Sequence, residues 1–167
     1  MSDTPSAPQP SYRPIFGVAD SLAAIDEVID RAQHTIRVFD VNLANRGFNA
    51  PQRAEKLRAF LVAGRSHRLL VALHETDLLE RECPRLLTLL RQFPMSIEIH
   101  RTLGEARNAN DPFVLADDHS VWHQQHYQQP RAIVALHSPP DALPIAQRFG
   151  EIWDLTEPAV SATTLGL

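Results

Sequence analysis

Asp111-Pro-Phe-Val-Leu-Ala-Asp-Asp-His-Ser-Val-Trp-His123 carries two short apolar runs, at 113–116 and 120–123, on either side of an acidic pair, Asp117-Asp118. Four-residue apolar runs around turn-forming aspartates read as two strands of a hairpin. What surrounds this hairpin decides what sheet it joins. Upstream, Thr35-Ile-Arg-Val-Phe39, Leu69-Leu-Val-Ala-Leu73 and Ser96-Ile-Glu-Ile-His100 are strand-like, and each follows a segment of helical periodicity. The continuous apolar run at 69–73 suits a strand covered on both faces. Downstream come one more strand, at 132–136, and a last helix over about 141–155.

The helices have their own signals. Leu22, Ile25, Val28, Ile29 and Ala32 share one stripe of a helix over 21–33, with Asp20 as its expected cap. Asn49 is the expected cap of a second helix, with Pro51 in its first turn and Gly64 just past its end. Arg53, Lys56 and Arg58 are assigned to that helix's outer face. A Leu-rich helical stretch runs from Thr76 or Asp77 to about Phe93, kinked or restarted at Pro84. Strands alternating with helices predict an α/β fold with a mixed, largely parallel sheet and helices on both faces. The Ser/Pro-rich start reads as a disordered tail over 1–14, and 158–167 as a C-terminal tail around one domain at 15–157.

The chain has 167 residues, 44% apolar and 22% charged, with a net charge of −4. That is enough chain for one domain with a core, without a basic field to gather nucleic acid or anionic membrane. No apolar run approaches the roughly 20 residues of a membrane span, so a cytoplasmic protein is expected. Of sixteen basic residues only Lys56 is a lysine. Cys83 is alone, which excludes an intrachain disulfide and points to a buried structural thiol.

Ligands of such sheets bind beyond the carboxyl ends of the strands. The residues expected there are Asp40, Asn42 and Arg46 after one strand, His74 after the next and His100 at the end of the third. His119, His123 and His126 follow the acidic turn. An even separation puts His119 and His123 on one face of a strand and His126 on the other. Their spacing matches no established metal motif, so no metal and no cofactor are expected. Six basic residues against Glu55 between Arg46 and Arg68 form a local surplus able to meet phosphate groups. No aromatic residues are interleaved with them, which argues against single-stranded nucleic acid.

The order of elements, with the ending Phe149-Gly-Glu-Ile-Trp-Asp154, resembles one half of the phospholipase D superfamily. In that family a His-x-Lys-x-x-x-x-Asp motif supplies a nucleophilic histidine, a phosphate-binding lysine and a supporting aspartate. Laid on this chain, the motif falls on 111–118: Asp111 stands for the histidine, Phe113 for the lysine, and only Asp118 agrees. The family's downstream Gly-Ser-x-Asn falls near Gln125-His126-Tyr127-Gln128 without a match. The whole chain also resembles an uncharacterised bacterial single-domain family marked by Phe39-Asp-Val-Asn-Leu-Ala-Asn-Arg-Gly-Phe48 and by Ser161-Ala-Thr-Thr-Leu-Gly-Leu167.

Attack on a phosphodiester needs a nucleophile and cations that hold the developing phosphoryl charge. With Asp111 and Phe113 in their places, the expectation is a catalytically inactive domain that binds a phosphate-bearing ligand or a protein partner. The alternative is a diverged hydrolase using Asp118 with His123 or His126. Because halves of the resembled superfamily pair across a two-fold axis, the resemblance also implies a homodimer or a pairing with another protein. Trp122, Tyr127 and Trp153 are the candidate contact residues, and both tryptophans read equally well as core.

Overall fold

A computed structural model describes residues 4 and 6–161. Eight strands form one mixed sheet in the order β1-β7-β6-β5-β2-β3-β4-β8. The strands are β1 Ser11–Phe16, β2 Thr35–Asp40, β3 Arg68–Leu73, β4 Ile97–Thr102, β5 Phe113–Ala116, β6 Ser120–Gln124, β7 Arg131–Leu136 and β8 Thr156–Val160. The helices are α1 Val18–Asp30, α2 Pro51–Ala63, α3 Leu79–Glu82, α4 Pro84–Gln92 and α5 Pro139–Trp153, with a 3-10 turn at Gly104–Asn108. Parallel pairing is confined to β2 with β3 and β3 with β4, the strands joined by helical crossovers. All other neighbours are antiparallel, so the parallel share is smaller than expected.

Helices cover both faces. On one, Ile25, Val28, Leu57, Leu61, Leu86 and Leu90 bury Val38, Val71, Ile99 and Trp122. On the other, Ala142, Phe149 and Ile152 of α5 bury Phe39, Ala72, Phe113 and Val121. Strand alternation does the sorting: Val38 faces the α1–α4 side and Phe39 the α5 side, and Trp122 and Val121 divide in the same way. Trp122 is fully covered, with its Nε1–H directed at Ser21 Oγ 3.3 Å away.

The structure corrects several local readings. Residues 11–14 are not tail: they belong to β1, which pairs from Ser11↔Leu136 to Phe16↔Arg131 and forms one sheet edge. Residues 158–160, also expected in a tail, belong to β8, the other edge; 162–167 lie outside the described residues. Helix α1 begins after Gly17, which adopts φ 87°, leaving Asp20 inside the first turn. Ala50 precedes α2, and Asn49 instead accepts the Arg85 N–H at the start of α4 through its Oδ1. The helical stretch at 76–93 does break and restart at Pro84.

Arg53 departs most from expectation. It is 2% exposed rather than on the outer face. Its Nε donates to Asp26 Oδ1 at 2.7 Å, its Nη groups to the carbonyls of Leu22 and Arg46, and its guanidinium lies 5.0 Å over Phe48. It thereby fastens the β2–α2 loop to α1.

Candidate functional site

The positions of the degenerate motif lie at two ends of one hairpin. Phe113 pairs with His123, whereas Ala116 pairs with Ser120 beside the turn. Asp111 therefore stands beyond the carboxyl end of β2, and Asp118 stands at the opposite end of the sheet. The pairing of Asp118 with His123 or His126 does not form, because the length of the hairpin separates them. Asp118 instead accepts from Arg37 at 3.2 Å. His126 lies in the loop after β6, where its Nδ1 accepts the Gln128 N–H and its ring stacks on Tyr127.

At the Asp111 end, the carboxylate is 9% exposed at residue level and receives two side chains. His123 Nε2 lies 2.9 Å from Oδ2, and Arg148 reaches both oxygens, with Nε 2.9 Å from Oδ2. Burial pushes the Asp111 carboxyl up, but the bonds from His123 and Arg148 outweigh it and hold the group below the ordinary carboxylate range. Phe113 has no exposed surface; its ring packs against Phe39, Phe149 and the edge of His123 at centroid distances of 5.6, 6.2 and 6.3 Å. Where the resembled enzymes keep a nucleophile and a lysine, this chain has a neutralised carboxylate and a packed ring.

The turn itself is an anchor. Asp117, at φ 51°, accepts the backbone N–H groups of Gln33, His34 and Thr35 at 2.8–2.9 Å. Burial opposes its ionisation, yet the three amides keep its carboxyl below the usual range. His119 Nε2 is 3.3 Å from the same carboxylate, and its ring stacks on His137.

The five residues expected to bind a ligand divide between the two faces. Asp40, Asn42 and Arg46 come together on the α1 side, in a cleft of about 330 Å³ that Ser21, Gln124, Tyr127 and Gln128 also line. Asp40 is 3% exposed; Oδ1 accepts the Val41 N–H at 2.7 Å and Oδ2 accepts Arg46 Nε at 2.8 Å. Burial raises the Asp40 carboxyl above its ordinary value, against the pull of Arg46, the Val41 amide and His74. The Arg46 guanidinium lies 5.1 Å from the centre of the Trp122 ring. The loop reaches this shape through left-handed residues at Leu43, Asn45 and Gly47.

His74 and His100 face the α5 side instead. His74 packs on Phe39 and hydrogen-bonds to Thr102 Oγ1 and the Ala109 carbonyl oxygen. His100 stacks on Trp153 at 3.8 Å and meets Thr156 Oγ1 through Nδ1, while Nε2 lies 3.3 Å from Glu98 Oε1 without hydrogen-bond alignment. Burial, the leading influence, lowers the pKa of His100. Both are packing histidines. Trp122 is buried and Trp153 is half-buried against Phe149 and His100, so of the three proposed contact aromatics Tyr127 alone is exposed.

The basic surplus at 46–68 is dispersed as well, with Arg53 internal and Lys56 paired with Asp30 at 2.7 Å. Among the described residues no three His, Cys, Asp or Glu side chains form a metal-ligand set. No helix among them is long and apolar enough to cross a membrane. Arg148 and the buried role of Arg53 were not expected from the sequence. A signal existed only for Arg53, which shares the stripe of Leu57, Phe60 and Leu61 on α2.

Solved structures of similar shape agree with this architecture. Nuc, a phospholipase D family member from Salmonella typhimurium, superposes with a TM-score of 0.63 at 16% identity, over 92% of this chain and 100% of that one. NucT from Helicobacter pylori gives 0.62 at 11% identity, over 90% and 100%. TrmBL2, an archaeal chromatin protein whose structure shows a novel mode of DNA binding, gives 0.63 at 16% identity, over 89% of this chain and 54% of that one. At these identities the likeness establishes the fold, and that fold is phospholipase D-like. No curated protein matches the chain. A family model described as a domain of unknown function (DUF7931) matches residues 18–165, and the chain belongs to that family.

Proposed function

We propose that this is a phospholipase D-like domain without phosphodiesterase activity, which binds a phosphate-bearing ligand near the carboxyl ends of its strands. The supporting observation is the state of the motif positions: Asp111 is held by His123 and Arg148, and Phe113 is fully buried. A phosphoryl transition state gathers negative charge, which Asp111 opposes and Phe113 cannot receive. Losing one stabilising donor costs roughly 10²–10³ in rate, and here a donor and the nucleophile are both missing.

The test is hydrolysis of bis(p-nitrophenyl) phosphate at high protein concentration. The expected rate is that of buffer. Turnover abolished by His123→Ala in a folded protein would overturn the inactive reading.

One observation favours a hydrolytic alternative: His123 and Asp111 form an acid–base pair, although with Asp111 rather than Asp118. Arg148 occupies the same carboxylate, and among the described residues no hydroxyl or thiol is hydrogen-bonded to His123. The inactive reading is therefore preferred. Pairing of two copies belongs to the same proposal, by analogy with the paired halves of the superfamily. Sedimentation at micromolar concentration tests it, and a strictly monomeric species would exclude it.

A further inference from the structure

The cleft on the α1 side of the sheet is separate from the Asp111 cluster, which faces α5, and one arginine sets its chemistry. We propose that this cleft is the binding site for a small phosphate monoester, received on the open Nη edge of Arg46. The inference rests on the binding reading above and goes beyond it by naming the site and the size and charge of the ligand.

Arg46 is fixed before any ligand arrives. Its Nε donates to Asp40 at 2.8 Å, its guanidinium lies over Trp122, and its side chain is 13% exposed. Its backbone is held too, since Arg53 donates to the Arg46 carbonyl from within the core. Only the Nε–H is engaged: the Nη groups have no hydrogen-bond partner among the described residues, and Arg46 lines the cleft. A guanidinium locked at Nε and held over a ring presents its two Nη donors in a plane, which matches two oxygens of a phosphate. Its side-chain freedom is already spent, so little further ordering opposes binding.

The remaining lining selects size and charge. Asn42, Asn45, Gln128 and Tyr127 offer neutral polar groups suited to hydroxyls or a base edge. Among the lining residues Arg46 is the one cation and Asp40 the one carboxylate, so the cleft is close to neutral. A polyanion such as nucleic acid, which needs several cations along its backbone, gains little here. A volume of about 330 Å³ suits a sugar- or nucleoside-sized molecule.

The experiment is a titration of the full chain, followed by amide chemical shifts, with glycerol 3-phosphate and with AMP. Cosedimentation with phosphatidylcholine vesicles containing phosphatidic acid distinguishes a lipid headgroup from a free ester. The expected result is perturbation of the amides at 41–46 and 124–129. Arg46→Lys keeps a charge beside Asp40 but lacks the fork, and should weaken binding about tenfold. Gln128→Glu, an exposed change that leaves the buried pair intact, should weaken it several-fold by like-charge repulsion.

Binding to vesicles alone, with the same sensitivity to Arg46→Lys, would support the fork and assign it to a headgroup. Perturbations around Asp111, His123 and Arg148 instead would overturn this site while leaving the binding reading intact. No response to either ester or to vesicles would overturn both. Binding unchanged in Arg46→Lys and in Gln128→Glu would remove Arg46 from the site.

Discussion

Replacing Asp111 separates a structural carboxylate from a catalytic one. In Asp111→Ala the protein loses one contact to His123 and two to Arg148. Breaking a buried ion pair costs about 3–5 kcal/mol when the partner is left uncompensated. Here the Arg148 side chain is 40% exposed and its charge can return to water, so the expected loss falls to about 2 kcal/mol. Asp111→Asn keeps an acceptor and the side-chain shape, and should cost about 1 kcal/mol. The doubly substituted Asp111→Ala/Arg148→Ala should be about 1 kcal/mol more stable than the sum of the single changes predicts, since both singles break the same contact. Urea unfolding at pH 7, read by tryptophan fluorescence, measures the parent, the three single variants (Asp111→Ala, Asp111→Asn and Arg148→Ala) and the double variant. For a domain of this size 2 kcal/mol should also lower Tm by about 4–8 °C. Residues kept for chemistry often raise stability when removed. An Asp111→Ala protein as stable as the parent or more so would therefore refute the structural assignment, and loss of a measurable hydrolysis in the same variant would replace it with a catalytic one.

Asp117→Ala should cost about 3 kcal/mol, because three backbone N–H groups lose their acceptor and alanine must adopt φ 51°. Asp117→Gly removes the backbone penalty and should recover about 1 kcal/mol in the same unfolding assay. Asp111 and Asp117 both titrate below 3.8 in the folded protein, so their stabilisation is full above that pH and is lost as pH falls through the lower folded values. Unfolding followed from pH 6 to pH 2 should show this acid limb, and Asp117→Asn should flatten it. Cys83 is buried, and desolvation, with help from the Glu82 and Asp40 charges, raises its thiol to about 11. A thiol-exchange reagent at pH 8 should react with it only as fast as the protein opens; rapid reaction in the native state would contradict its burial. Arg53→Leu should cost more than 2 kcal/mol, since it leaves Asp26 and two carbonyls without their donor, and unfolding midpoints within error of the parent would refute that role.

Periodicity exposed most of the core elements because each carries a local signature. The stripe of α1, the apolar run of β3 and the hairpin at 113–124 could be read without neighbours. The edges could not. In β1 the residues Ser11-Tyr-Arg-Pro-Ile-Phe16 follow a Ser/Pro-rich start and gain their order from β7, more than a hundred residues away. β8 follows a helix end and contains Pro158, a local stop signal that its pairing with β4 overrides. The same division runs through the site. Asp40, the last residue of β2, and Asn42 and Arg46 in the loop after it are close in sequence and were legible together. Asp111 meets Arg148 across 37 positions, a contact that depends on how α5 crosses the sheet. His74 follows the end of β3 as the polar pattern suggested, whereas His100 lies inside β4, and alternation sends both to the face opposite Asp40.

Both outermost strands contain a proline, Pro14 in β1 and Pro158 in β8. Proline has no N–H to offer an incoming strand, and sheets that end this way resist growing into one another. Trimming the first fourteen residues, the tail that the Ser/Pro-rich start suggests, would remove one of these terminators and bare β7 from Ile133 to Leu136. Such a shortened chain should precipitate rather than crystallise, and an expression boundary belongs ahead of Ser11.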